Sequence, residues 1–304
     1  MNARLESHPD LAEAMQMSSV HGCDEAEQCS ARYLETLESL PSELALQDDL
    51  SSFPELEEEF GHSEQSIMNA SGQGFQGGVV EIGNCTGVLI SPRAILTAAH
   101  CVAGAIAPAR NGWSTLVIRR FNANGTKTRV AQGEQLRINI HPGYSAGDAA
   151  RDIAIIKKLP PNNFTEFSVG DRSRLYIDNG SELNGITMWG RGASAHDNSG
   201  RGTLRFMNYQ PNWWGPEHFL RNATNSRACW GDSGGPVFSW LPNNQRVVVG
   251  LHINSQKKGN KACARQGGKQ RAVRVQRKVA WIEDMLDVTC TEYSSSGRRY
   301  VRCW

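Results

Sequence analysis

Long apolar runs are missing from this 304-residue chain. The longest, Cys101–Ala107, is seven residues, against roughly 20 for a helix that crosses a bilayer, so no membrane span is expected. No two cysteines stand in CxxC spacing, which argues against a zinc site; no metal and no cofactor are expected. Residues 1–22 lack the apolar core of a secretory signal, so either a signal has been trimmed or export takes another route. The first 66 residues also lack lysine and tryptophan. They carry two basic residues, Arg4 and Arg32, against sixteen Asp and Glu.

What is present divides along the same line. The net charge of +1 hides −14 over residues 1–66 and +15 over residues 67–304, where 30 basic residues face 15 acidic ones. In the acidic part, Ala31–Leu46 and Leu50–Phe60 set Leu, Phe and Tyr among acids at loose helical spacing. That pattern suggests short helices and linkers ordered only against a partner. The basic part has β-branched runs, Val79–Ile82, Gly87–Ile90 and Arg246–His252, between turn residues, which points to an all-β domain. Val275–Val288 has helical spacing and is expected to close the chain as a helix. The eight cysteines fall into four local couples: Cys23 and Cys29, Cys85 and Cys101, Cys229 and Cys263, Cys290 and Cys303. An even count without a metal motif implies disulfides and an oxidising compartment, secreted, periplasmic or extracellular. Spacing leaves 105 connectivities open.

Three segments carry the chemistry: Leu96-Thr-Ala-Ala-His100-Cys101, Asp152-Ile-Ala-Ile-Ile156 and Gly231-Asp-Ser233-Gly-Gly-Pro236. A serine hydroxyl is a weak nucleophile until a base takes its proton. A histidine serves as that base, and an aspartate fixes its tautomer. Over roughly residues 67–288, with spacings of 52 and 81 residues, the chain resembles the chymotrypsin/trypsin family of serine proteases. The resemblance implies His100, Asp152 and Ser233 as catalytic residues, with the Gly231 and Ser233 amides as oxyanion-hole donors. It implies two antiparallel six-stranded β-barrels with a C-terminal helix, preceded by an acidic, partly helical propeptide. It also implies Cys85–Cys101 and Cys229–Cys263 bridges, leaving Cys290 and Cys303 to close an extra loop within 288–304.

Asp232 precedes the nucleophile. In relatives activated by cleavage this aspartate pairs with a newly made α-amino group, and Ile67 in Ser66-Ile67-Met68-Asn69-Ala70 resembles that new terminus. Ser66 stands where a basic residue usually precedes the cut. Residues 1–66 therefore read as a propeptide that inhibits the domain 67–304, removed by an activating protease or by self-processing. In the pocket, Arg227 stands six residues before Ser233, followed by Ala228 and Trp230; His252 and Ser255 lie on the far wall. The His252 position resembles that of glutamate-specific members. A cation about 4 Å from a substrate carboxylate, at an effective dielectric near 20, is worth roughly 4 kcal/mol, so cleavage after Glu or Asp is expected.

The expected partners are protein or peptide substrates. The basic runs Lys257–Lys261 and Gly268–Lys278 read as a solvated face complementary to the acidic segment rather than as a nucleic-acid site. The alternatives are a catalytically silent, protease-like polyanion binder and a narrow processing protease with one protein target.

Overall fold

Runs such as Val79-Val80-Glu81-Ile82 and Ala94-Ile95-Leu96-Thr97 are apolar at successive positions, so a strand built from them is buried on both faces. The computed structural model describes residues 67–68, 70–74, 76–105, 116–178, 183, 185–241, 246–256, 259–286, 290–295 and 297–303. The acidic segment 1–66, with the Cys23 and Cys29 couple, lies outside the described residues.

Strand β1 (Gly72–Gln73) opens the described chain and joins the second of two sheets. The first sheet contains β2 (Val79–Ile82), β3 (Cys85–Ser91), β4 (Ala94–Thr97) and β5 (Val117–Phe121). To these it adds β6 (Lys127–Gln132), β7 (Leu136–Ile140) and β8 (Ala154–Lys158). The order is β6-β5-β2-β3-β4-β8-β7, antiparallel throughout. Because side chains alternate with a period of two, Val79, Val88, Leu96 and Ile155 enter one apolar cluster. Their neighbours Val80, Leu89, Ile95 and Ile156 enter another.

The second sheet holds β9 (Arg174–Tyr176), β10 (Thr187–Gly190), β11 (Arg205–Asn208) and β12 (Trp213–Trp214). It continues with β13 (His218–Asn222), β14 (Pro236–Trp240), β15 (Arg246–Ser255) and β16 (Lys269–Arg274). Its main path runs β1-β11-β10-β14-β15-β16-β13-β12. The ten-residue β15 is buried from Arg246 to Ile253 and forms the spine of this half. The chain then tightens through a 3-10 turn (Val275–Lys278) into α1 (Val279–Leu286). A hairpin of β17 (Cys290–Ser295) and β18 (Arg298–Cys303) ends it.

Three features differ from the sequence expectation. The two sheets and the C-terminal helix are consistent with the expected double β-barrel, but among the described residues the sheets have seven and eleven strands rather than six and six. Three of the extra strands, β9, β17 and β18, arise because β18 pairs with β9, and β9 pairs parallel to β15, so the C-terminal hairpin is added to the sheet. The expected helix is shorter, because Arg274 supplies no side-chain cap and the first turn is 3-10. Among the described residues three disulfides are present, Cys85–Cys101, Cys229–Cys263 and Cys290–Cys303. Among the described residues no helix is long and apolar enough to cross a membrane.

Helix α1 buries Ile282 and Leu286, four residues apart on one face, and Trp281 packs on His141 at 5.1 Å. Ile282 is fully buried, so Ile282→Ala should cost about 2–5 kcal/mol by transfer and cavity terms. Chemical denaturation measures this. A loss below about 1 kcal/mol would mean that the helix is not part of the cooperative core.

Candidate active site

Register alone brings two of the expected residues together. In the antiparallel pair β4–β8, Thr97 lies opposite Ala154. His100 follows Thr97 by three residues on a 3-10 turn (Ala99–Cys101), and Asp152 precedes Ala154 by two, so both emerge from the same end of the sheet. The Asp152 carboxylate accepts the His100 backbone N–H at 2.9 Å through Oδ1, and its Oδ2 lies 2.6 Å from His100 Nδ1. Asp152 is buried while the imidazole is about a third exposed. This arrangement directs the Nδ1 proton to the carboxylate and leaves Nε2, 3.6 Å from Cys101 Sγ, as the acceptor. His100 also groups with Cys85 and Cys101. Those sulfurs are joined to each other, so the cluster has no thiolate to offer a metal.

Ser233 belongs to the second sheet but is tied to the first. The Thr86 amide on β3 donates to the Ser233 carbonyl at 2.9 Å, and the Thr86 hydroxyl donates to the Gly231 carbonyl at 2.8 Å. Thr97 in turn donates its hydroxyl to the Thr86 carbonyl. The loop needs glycine where it turns. Gly231 has φ +100, and a Cβ on Gly234 (φ +77) would stand 2.2 Å from both the Thr86 carbonyl oxygen and the Thr97 hydroxyl. Among the described residues, neither the Gly231 nor the Ser233 amide N–H has a protein acceptor. The Ser233 hydroxyl donates to the Ile253 carbonyl at 3.2 Å, and no bond joins it to His100. The histidine and the aspartate are therefore paired, and the serine hydroxyl is turned toward β15.

Asp232 is completely buried. It accepts the Gly192 N–H at 2.8 Å and the Cys229 N–H at 2.7 Å. Burial pushes its carboxyl up to about 7, against the opposing pull of these two amides and of the Arg191 and Arg205 charges. Gly190 and Gly192 press on it so closely that a Cβ on either would lie within 3 Å of its side chain. Ile67 is fully buried among Met188, Ala228 and Val237, with φ +48. A left-handed conformation is costly for a β-branched residue.

The pocket residues are placed unevenly. The Arg227 guanidinium donates to the neutral Met68 Sδ at 2.8 Å, its Nε is buried with no hydrogen-bond partner among the described residues, and its amide donates to the Met68 carbonyl. Burial lowers its pKa. Ala228 is buried, and Trp230 is 43% exposed beside the Cys229–Cys263 bridge. His252, almost fully buried, lies 3.2 Å through Nδ1 from the Tyr209 hydroxyl and 3.1 Å through Nε2 from the Ser255 hydroxyl. Sequence reasoning missed the parts played by Thr86, Thr97 and Tyr209. Thr97 lies within the histidine motif and bonds Thr86 on the neighbouring strand, whereas Thr86 and Tyr209 act through contacts with distant segments that no local motif marks.

Comparison with known proteins agrees with this geometry. The family model described as Trypsin matches residues 65–282. Phenoloxidase-activating enzyme 1 of Spodoptera litura is 27% identical over 230 residues, covering 66% of this chain and 59% of that protein. The venom peptide isomerase heavy chain of Agelenopsis aperta is 24% identical over 196 residues, covering 58% of this chain and 79% of that protein. The chain thus spans about three fifths of the length of the Spodoptera protein. With the family model covering well over half of its residues, the chain belongs to the trypsin family.

Proposed function

We propose that the chain is a secreted serine endopeptidase made as a zymogen, with 1–66 as the acidic propeptide and 67–304 as the protease domain, ending in the disulfide-closed extension 288–304. The observation that carries this reading is the His100–Asp152 pair held at the sheet end beside the Thr86-tethered Ser233 loop. In the reaction, the Ser233 hydroxyl leaves Ile253 and turns to His100 Nε2. His100 takes the proton as Oγ attacks the peptide carbonyl, then returns it to the leaving amine, giving an acyl-enzyme that water hydrolyses. The unpartnered Gly231 and Ser233 amides hold the oxyanion; losing one such donor costs about 3 kcal/mol of transition-state stabilisation.

Activation fits the two strained features of the domain. A cut before Ile67 removes the constraint behind its φ of +48 and supplies an ammonium for Asp232, whose present partners are two amides. Cleavage after Glu64 would leave Gln65 and Ser66 on the new end, so self-processing needs a further trimming step. For substrate choice we propose a preference for Glu or Asp at the cleaved position. With Arg227 engaged by Met68, His252 and Ser255 carry that preference and Trp230 covers the entrance. The charge of +15 on 67–304 favours one rival, a silent polyanion-binding relative. A narrow processing protease differs from the main reading only in substrate range.

Ser233→Ala separates these readings. It should lower peptide cleavage by about 10⁴-fold or more and abolish fluorophosphonate labelling. Cleavage unaffected by the substitution would overturn the assignment of Ser233. The buried Asp232 gives a pH test. Its folded pKa is raised, so between about pH 4 and 7 the folded chain holds a proton that the unfolded chain has lost, and stability falls as pH rises through that window. The difference in unfolding free energy between the uncut chain and its Asp232→Asn variant should follow that slope. A pH-independent difference would show that Asp232 is ionised throughout. Finally, the separated segment 1–66 should inhibit the domain in trans and lose potency as salt rises; inhibition insensitive to salt would refute the charge-based docking.

A further inference from the structure

Behind the proposed pocket wall lies a chain of buried polar groups that the catalytic reading does not use. Tyr209, just past β11, is fully buried and stands edge-on to Phe219 at 6.1 Å and to His252 at 5.9 Å. The Arg221 guanidinium on β13 sits 5.6 Å above the Tyr209 ring. Arg221 is itself held by the Ser226 carbonyl, the Thr224 hydroxyl and the Gln270 side-chain oxygen. Among the described residues the Tyr209 hydroxyl has one partner, His252 Nδ1, at 3.2 Å.

That single contact determines where the protons lie. Burial pushes the Tyr209 phenol far above its usual range, so it keeps its proton. A buried hydroxyl that fails to donate forfeits the full desolvation cost of its O–H. His252 Nδ1 is the acceptor in reach, so it carries no hydrogen, and the neutral ring keeps its proton on Nε2. The Nε2–H then donates to Ser255 Oγ at 3.1 Å. Ser255 is only partly buried; it accepts from Nε2–H on one of its two lone pairs, so its own O–H is not spent on His252 and can donate outward. The Arg221 cation acts in the same direction, drawing electron density from the phenol and strengthening it as a donor.

We infer that Tyr209 is a specificity-determining positioning residue: through His252 it makes Ser255 a hydrogen-bond donor, so the wall selects substrate side chains that end in an acceptor oxygen. This rests on the protease reading above and replaces its acidic preference with one for side chains that end in an acceptor oxygen, charged or not. A wall that is neutral and donating recognises oxygen rather than negative charge. It accepts Gln as well as Glu through the Ser255 O–H, and it offers the donor-only ends of Lys and Arg one remaining lone pair on Ser255.

The test has two arms. In the full chain carrying ¹⁵N-labelled histidine, with His252 assigned by its loss in His252→Gln, the ring should be neutral with its proton on Nε2. A proton on Nδ1, or an imidazolium at neutral pH, would overturn the inference. In the activated chain, peptides with Glu, Gln or Leu at the cleaved position are compared. Tyr209→Phe should lower the Glu-over-Leu and Gln-over-Leu ratios of kcat/KM by about 3–10-fold, the worth of one neutral hydrogen bond, through KM and not kcat. Ser255→Ala should do the same, and the double variant no more than either alone. Unchanged ratios, or losses that add, would refute action through Ser255. If fluorophosphonate labelling and all cleavage are absent, the protease reading falls and the specificity role with it. The spectroscopic arm then still decides the Tyr209–His252 proton arrangement.

Discussion

A carboxylate with no exposure to water sets the terms for this domain. Asp232 has to be accommodated beside Ser233 without bulk solvent, and the surrounding chain is shaped to that end. Two backbone amides, from Gly192 and Cys229, point at its oxygens. Gly190 and Gly192 leave out the side chains that would collide with it. Arg191 and Arg205 contribute charge nearby. Arg191 also reaches Glu81 of the first sheet at 3.0 Å. Burial would raise the Glu81 pKa, but Lys127, Arg191 and Arg119 together hold it below its usual value. The Asp232 environment is thereby joined to β2 through one arginine. Because even well-paired buried charge is costly, Asp232 needs a proton or a cationic partner in each state of the chain.

The same economy of contacts brings the two sheets together at His100, Asp152 and Ser233. The first sheet presents His100 and Asp152 from neighbouring strands, and their pairing is a consequence of register. The second presents Ser233 on a glycine-rich turn whose carbonyls are held by Thr86. The disulfide Cys85–Cys101 ties the start of β3 to the histidine turn, and Cys229–Cys263 ties the start of the Ser233 loop to the segment before β16. Each group is therefore fixed by an element of regular structure or by a cross-link, as expected for a site that depends on sub-ångström placement.

The legible parts of the sequence were those whose chemistry is local. The segments around His100, Asp152 and Ser233 each combine a reactive residue with the small or β-branched neighbours its turn or strand requires. The strands at Val79–Ile82 and within Cys85–Ser91 and Arg246–Ser255 followed from continuous apolar runs. Strand number was not legible, because β9 is three residues long and gains its place only through β15 and β18. The position of Arg227 could be read, but not its partner, since Met68 lies 159 residues away. Tyr209 meets His252 across 43 residues with no motif at either end. Contacts of this kind depend on how strands stack, and composition and spacing do not encode that in any short window.

The central claim is that Asp232 must gain an α-amino partner at Ile67 before Ser233 becomes reactive. The most direct measurement follows fluorophosphonate labelling of Ser233 alongside N-terminal sequencing and intact mass, on the same chain before and after activation. The account predicts that label appears only in the fraction whose new terminus is Ile67. Equal labelling of the uncut chain would contradict it, because the two amides and the Arg191 and Arg205 charges would then suffice to hold Asp232 in the active arrangement.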